Sequence, residues 1–415
     1  MILIKKIQYV LVGLLLLATL FSGCVESTKT VTSESEQVTI GALLPLTGSV
    51  SSIGEASKVA LEVSVENINS YFSGLGSGKD VKLIVRDTKS DPGTALEQLK
   101  ELNKMGIKLV IGPQGSSEAE AVLDYANENN IILLSTASTA PSLAVPNDNL
   151  YRLVPDDTKQ GLVLAKLMND EGVSTVVPMY RNDVWGKGIS GEVEKNFKTL
   201  NGTVFEGSAY ETTKVNLSED VEALNNKIIE ATSKNEKGSV AVLLCSYGEA
   251  KEIFSLARNY PALLEVKWYG TDGIALNKEL INDKIAASFV VATNLTAPMY
   301  GYVGQNDLYQ VTEPDIEKRL GRAPESYALT SYDALWIATF VNLDAVADND
   351  KSIKIAMETL TDTYYGISGW AILNENGDKK YWDYDIWKVA EENGTYRWEK
   401  KKSISMQGEK LDYIY

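Results

Sequence analysis

The chain has 415 residues, 44% hydrophobic and 23% charged, a globular composition whose length suits two domains. Fifty-six acidic against 40 basic residues give a net charge of −16, which argues against a nucleic-acid partner because phosphate backbones need a basic face. There is no histidine and there are two cysteines, Cys24 and Cys245; Ser-His-Asp and Cys-His catalysis and a disulfide framework are thereby excluded, and nothing in the sequence requires a metal or a cofactor.

At the N-terminus, Lys5 and Lys6 precede an apolar run from Val10 to Phe21, followed by LFSGC. The run is shorter than the roughly 20 residues that span a bilayer, and it reads as an export signal. The small residues ending in Cys24 resemble the lipobox of bacterial and archaeal lipoproteins. That resemblance implies removal of residues 1–23 and a lipid on Cys24 that holds the chain to the bilayer. An uncleaved N-terminal anchor is the other reading, and both leave the remainder tethered outside the cytoplasm. Residues 24–37 are polar and Ser/Thr-rich, a flexible tether of roughly 20 Å.

From Val38 the pattern alternates. VTIGALL, VKLIVRD, KLVIG and IILLS are apolar strands, separated by EASKVALEVSVENIN, TALEQLKELNKM and SSEAEAVLDYANEN with helical spacing. Strands that are apolar throughout and alternate with helices predict a parallel sheet covered on both faces. A second series begins near Asp157, with strands STVVPMY, GTVFEGSAYE, SVAVLLCS and VKWYGTD and helices between them. Residues 294–330 are rich in Pro, Tyr and Gly, SYDALWIATFVNLDAVA reads as a buried helix, and the tail from Tyr364 as strands joined by an Asn-Gly-Asp turn. The expected fold class is α/β, with two open parallel-sheet lobes.

In open parallel sheets ligands sit beyond the carboxyl ends of the strands. There the sequence places Ser116 and Ser117; Ala137, Ser138 and Thr139; Trp185; Tyr247; and Asp272. Hydroxyls and free N–H groups at helix starts are the parts of a carboxylate site. A carboxylate with aromatic rings is the counterpart for an ammonium. Two such rims facing each other suit a zwitterion such as an α-amino acid. Each residue also has an ordinary role: Ser116 as a helix N-cap, Thr139 and Asp272 as turn residues, Trp185 and Tyr247 as packed aromatics. Their placement at one end of both sheets favours the site.

The stretches IGALLPLTGSVSSIGEASKVALEVSVENIN, DTKSDPGTALEQLKELNKMGIKLVIGPQGSSEAEAV, IILLSTASTAPSL and LYRLVPDDTKQGLVLAKLM resemble the leucine/isoleucine/valine-binding proteins, type I periplasmic binding proteins serving ABC importers. The likeness runs from Val38 to about Trp387. It implies two lobes, residues 38–155 with 295–362 and residues 156–294 with 363–415, joined by three crossovers near Pro155-Asp156, Asn294-Leu295 and Thr361–Thr363. It implies that Ser116 and Thr139, with the Ala137 backbone and Ser138 beside them, hold a ligand carboxylate. Asp272 would pair with the α-ammonium, where many members have Glu, and Trp185 and Tyr247 would line the second lobe. Ile53 stands where several members have an aromatic ring, and Ser90 and Gly115 replace a disulfide pair of enterobacterial relatives. The implied function is a lipid-anchored, non-enzymatic receptor that passes a small amino acid to the membrane permease of an ABC importer. The same architecture also serves receptors for amides, urea-like compounds and aromatic acids, and ligand sensors not coupled to transport.

Overall fold

Alternate residues of the first strand serve two different cores. In the computed structural model, which describes residues 36–301, 306–345, 350–407 and 410–414, strand β1 spans Glu36–Leu44. Val38, Ile40, Ala42 and Leu44 enter one apolar cluster, and Leu43 enters another on the opposite face. The same division holds in β3 (Leu109–Ile111) and β4 (Ile132–Ser135), whose odd and even positions separate likewise. A strand can bury both faces only if helices cover both, and they do. With β2 (Lys79–Asp87) and β5 (Leu150–Arg152) the strands form a parallel sheet in the order β2-β1-β3-β4-β5.

The second lobe repeats the plan. Strands β6 (Thr175–Arg181), β7 (Thr203–Val204), β8 (Ser208–Tyr210), β9 (Val240–Cys245) and β10 (Lys267–Gly270) form a parallel sheet in the order β10-β9-β6-β7, with β8 also on β6. In β9, Val240, Val242 and Leu244 face one core, and Ala241, Leu243 and Cys245 face the other. The flanking helices start where the chain supplies caps. Asp91 accepts from Thr94 N at 2.7 Å before Pro92–Lys104, and Asp183 accepts from Gly186 N at 2.8 Å before Val184–Thr199.

Several places differ from the sequence reading. Residues 297–301, expected on the first lobe, form β11, which pairs with β14 (Asp383–Glu392) in a four-stranded antiparallel sheet completed by β15 (Thr395–Gln407) and β16 (Lys410–Ile414). Thr296 bridges Tyr269 of β10, so this sheet continues the second lobe as far as Gly301. Two short strands, β12 (Tyr365–Gly366) and β13 (Gly369–Trp370), begin a segment that stays with the first lobe beyond Thr363. Arg152 N donates to Gly377 O and Lys379 N to Arg152 O, so the third crossover falls between Lys380 and Asp383. The tail carries two Asn-Gly signals, and the long hairpin turns at Asn393-Gly394, where both residues have positive φ (54° and 79°), as a type I′ turn requires. Finally, Asp307–Leu320 is a helix despite Pro314, capped by Asn306 and ended by Gly321 at φ 74°; the proline masked it in the sequence. The export signal, Cys24 and the tether as far as Ser35 lie outside the described residues, while Glu36 and Gln37 belong to β1. Among the described residues no helix is long and apolar enough to cross a membrane.

Candidate functional site

The carboxyl ends of both parallel sheets face one another, and the loops leaving them meet. After β3 the chain turns through Gly112, whose φ of 96° and close approach to Leu43 O leave no room for a side chain: an added Cβ would lie 2.3 Å from that oxygen. Helix Ser116–Glu128 follows. Gly115, not Ser116, occupies its cap position, and Glu118 reaches back to accept from Gly115 N at 2.9 Å. The Ser116 hydroxyl is therefore free for other work. Its oxygen accepts from Thr139 N at 3.2 Å and Ala140 N at 3.1 Å, which fills both lone pairs and leaves its own proton to donate, with the Ser138 hydroxyl 3.3 Å away.

The turn carrying Ala137, Ser138 and Thr139 is held from behind by a charge. Arg152, the one cation in the apolar run LYRLV, is fully buried and forms a two-pronged pair with Asp378, at 2.5 Å from Nε and 2.9 Å from Nη2. Its Nη1 donates to Ala140 O at 2.8 Å, tying the turn to the segment after β13. A guanidinium presents a rigid fork, so this one side chain sets the position of the whole turn.

Across the junction, Asp272 follows β10 and is 4% exposed. Gly273 beside it is forced by packing: a Cβ there would lie 2.5 Å from the Tyr247 ring and 2.6 Å from Ser246 O. Asp272 Oδ1 accepts from Gly273 N at 3.0 Å, and Oδ2 accepts from the Tyr327 hydroxyl on helix Ser326–Asp344. Trp185 stacks on Tyr247 with centroids 4.2 Å apart, and the Arg181 guanidinium lies over the Tyr247 ring, 4.5 Å from its centroid. Ile53 and Ala137, both from the first lobe, pack against the cluster that contains Trp185. The lobes are thus in contact: Gly248 N donates to Ser49 O at 3.0 Å, and Lys278 pairs with Glu55.

One line of hydrogen bonds joins the two rims. The Thr139 hydroxyl donates to Asp157 Oδ2 at 2.8 Å, Gln160 Nε2 donates to Asp157 Oδ1 at 2.9 Å, and Gln160 Oε1 accepts from Asp272 N at 2.9 Å. Burial pushes the Asp157 carboxyl well above the usual carboxylate range, and the neighbouring Asp272 charge adds to this. Asp272 is raised as well, again mainly by burial, with the Tyr327 and Gln160 hydrogen bonds opposing it.

Seven of the eight residues singled out from sequence therefore lie at this junction: Ser116, Ala137, Ser138 and Thr139 on one rim, Trp185, Tyr247 and Asp272 on the other. Sequence reasoning missed Asp157, Gln160, Tyr327 and the Arg152–Asp378 pair. Asp157 reads as an ordinary acid in a helix's first turn, and Tyr327 as a core aromatic. The available signal was Arg152, since a cation in an apolar strand needs a buried partner.

A family profile described as receptor family ligand binding region matches residues 56–392. The chain belongs to that family. An uncharacterized protein of Methanocaldococcus jannaschii is 28% identical over 403 residues, covering 92% of this chain and 94% of its own. The leucine-binding protein of Thermotoga maritima superposes with a TM-score of 0.70 at 20% identity, over 87% of this chain and 97% of that one. A solute-binding protein of an R. palustris ABC transporter, solved with benzoate, superposes with a TM-score of 0.69 at 17% identity, over 88% and 96%. This member of the receptor ligand-binding family thus has the type I periplasmic binding protein fold.

Proposed function

We propose that this chain is an extracytoplasmic receptor, tethered through lipidated Cys24, that captures a small α-amino acid between its lobes and delivers it to the permease of an ABC importer. The observation that carries the reading is the polarity of the two rims. The first offers the Ser116 hydroxyl proton, on an oxygen that Thr139 N and Ala140 N hold in place; the second offers a buried acid. A ligand carboxylate at Ser116, Ala137, Ser138 and Thr139 and a ligand ammonium at Asp272 would make charge-assisted bonds at both ends, away from bulk water. Trp185, Tyr247 and Ile53 would enclose the side chain. No bond is made or broken in such a cycle. Because ligand touches both rims only when the lobes meet, it favours the closed arrangement by its differential affinity. The leucine-binding relative of the same fold supports an amino-acid head group.

The benzoate-bound neighbour and the Trp185–Tyr247 stack favour a second reading, a receptor for aromatic acids. Against it, a benzoate would bring a third anion to Asp157 and Asp272 and no cation. A thermal-shift screen separates them: the first reading expects stabilisation by aliphatic α-amino acids and none by benzoates or amides. Stabilisation by benzoate but not by amino acids reverses the order.

A further inference from the structure

The Thr139 hydroxyl has a single proton, and it is already committed. It donates to Asp157 Oδ2 at 2.8 Å, while Thr139 N donates to Ser116 Oγ. A ligand carboxylate arriving at Thr139 would set two anions on one donor in a closed site. Asp157 has no neighbour able to absorb that charge. It is fully buried at the start of helix Asp157–Asp170. The groups facing it are Asp156 beside it, Asp272 from the end of β10, and Arg152 from β5, whose guanidinium is taken by Asp378. Farther out stand the phenols of Tyr247, Tyr327 and Tyr384 and the Cys245 thiol. Three carboxyls and one occupied guanidinium surround the spot. Asp272 would gain a ligand ammonium; Asp157 would gain only the repulsion of a carboxylate.

We propose that capture of the amino acid places one proton on Asp157, whose neutral carboxyl then donates to Thr139 Oγ1 and turns the Thr139 hydroxyl onto the ligand carboxylate. The proton comes from solvent and joins Oδ2. Oδ1 keeps its bond from Gln160 Nε2, so Gln160 and Asp272 need not move. Asp157 is in this account a positioning residue that touches no ligand atom: it decides which way a hydroxyl points, and makes affinity depend on pH. Burial, which already favours its neutral form, works in the same direction.

The inference rests on the amino-acid reading above, and the experiment separates the two. Calorimetric titration of the mature chain with L-leucine, or with whichever α-amino acid the screen ranks higher, is run at pH 6 to 8.5 in phosphate and in Tris. The different ionisation enthalpies of the two buffers report protons taken up. The expected results are net uptake approaching one proton and an affinity falling about tenfold per pH unit at the upper end of the range. In Asp157→Asn the amide nitrogen donates to Thr139 Oγ1 and the amide oxygen accepts from Gln160, a fixed copy of the neutral acid. Its affinity should be independent of buffer and pH, and tighter than the wild type at pH 8.5. Thr139→Val should bind more weakly with no proton uptake, and Thr139→Ser should restore both. Binding without proton uptake in the wild type, or uptake persisting in Asp157→Asn, overturns the proposal alone. Binding of no amino acid overturns it together with the reading beneath it.

Discussion

The first rim of the cleft is made from near-neighbours in sequence, Ser116 at a helix start and the Ala137–Thr139 turn after the adjacent strand β4, and it works with dipoles. The second collects Trp185, Tyr247 and Asp272 from the ends of three strands, borrows Tyr327 from a helix of the first lobe, and works with a formal charge. Dipoles spread a task over several donors, so losing one is a graded injury. A buried charge concentrates the task in one carboxyl. Yet the first rim has a hidden charge of its own in Arg152, which holds the turn from behind.

Arg152→Met tests that hidden charge and should have the largest effect. It strands Asp378 without its partner, at a cost of about 3–5 kcal/mol in unfolding free energy by urea titration. Next, Asp272→Ala should weaken amino-acid binding by about 2–5 kcal/mol in calorimetry while the fold survives, since the ammonium loses its only buried counter-charge. Unchanged affinity would remove Asp272 from the site. Ser116→Ala, on the dipolar rim, should cost about 1–3 kcal/mol in stability because Thr139 N and Ala140 N lose their acceptor. A loss as large as that of Arg152→Met would erase the contrast between graded and concentrated rims.

The pH dependence of the ligand-free protein sharpens the comparison further. Burial holds the folded-state values of Asp157 and Asp272 above those of exposed aspartates, so the folded state binds these protons more tightly than the unfolded chain. Their contribution to stability is present at low pH and lost as pH rises through the folded values. The unfolding free energy should therefore rise as pH falls from 7.5 to 5, by up to about 1.4 kcal/mol per pH unit for each acid, and the melting temperature should rise with it. Lys379, held down to about 8 by burial, acts above that window. Asp87 and Asp170, whose carboxyls are held below the usual range, reverse the trend in stronger acid. The smallest effect is expected at the exposed Lys198–Glu194 pair, where Lys198→Ala should change stability by less than about 0.5 kcal/mol.

The rims differ in legibility for the same reason that they differ in construction. Parallel strands buried on both faces are written as unbroken apolar runs, so the two sheets and the loops at their carboxyl ends could be placed from sequence. Ser116 and Thr139 then followed from position. Asp157, Gln160 and Tyr327 could not, because each looks like an ordinary helical residue until the lobes are brought together. Helix Asp307–Leu320 was hidden by Pro314, and the course of residues 364–380 by a second Asn-Gly pair. The Arg152–Asp378 partnership spans 226 residues, a separation that local pattern cannot reveal.

That long return of the chain governs how the molecule comes into being. The first lobe is not complete until the segment ending at Lys380 has been laid beside Arg152, and the second awaits β14 to β16, which follow that segment in the chain. Neither half can be harvested as an independent module by cutting at a crossover, and a nascent chain stalled before Asp378 would carry an unneutralised arginine in an unfinished interior.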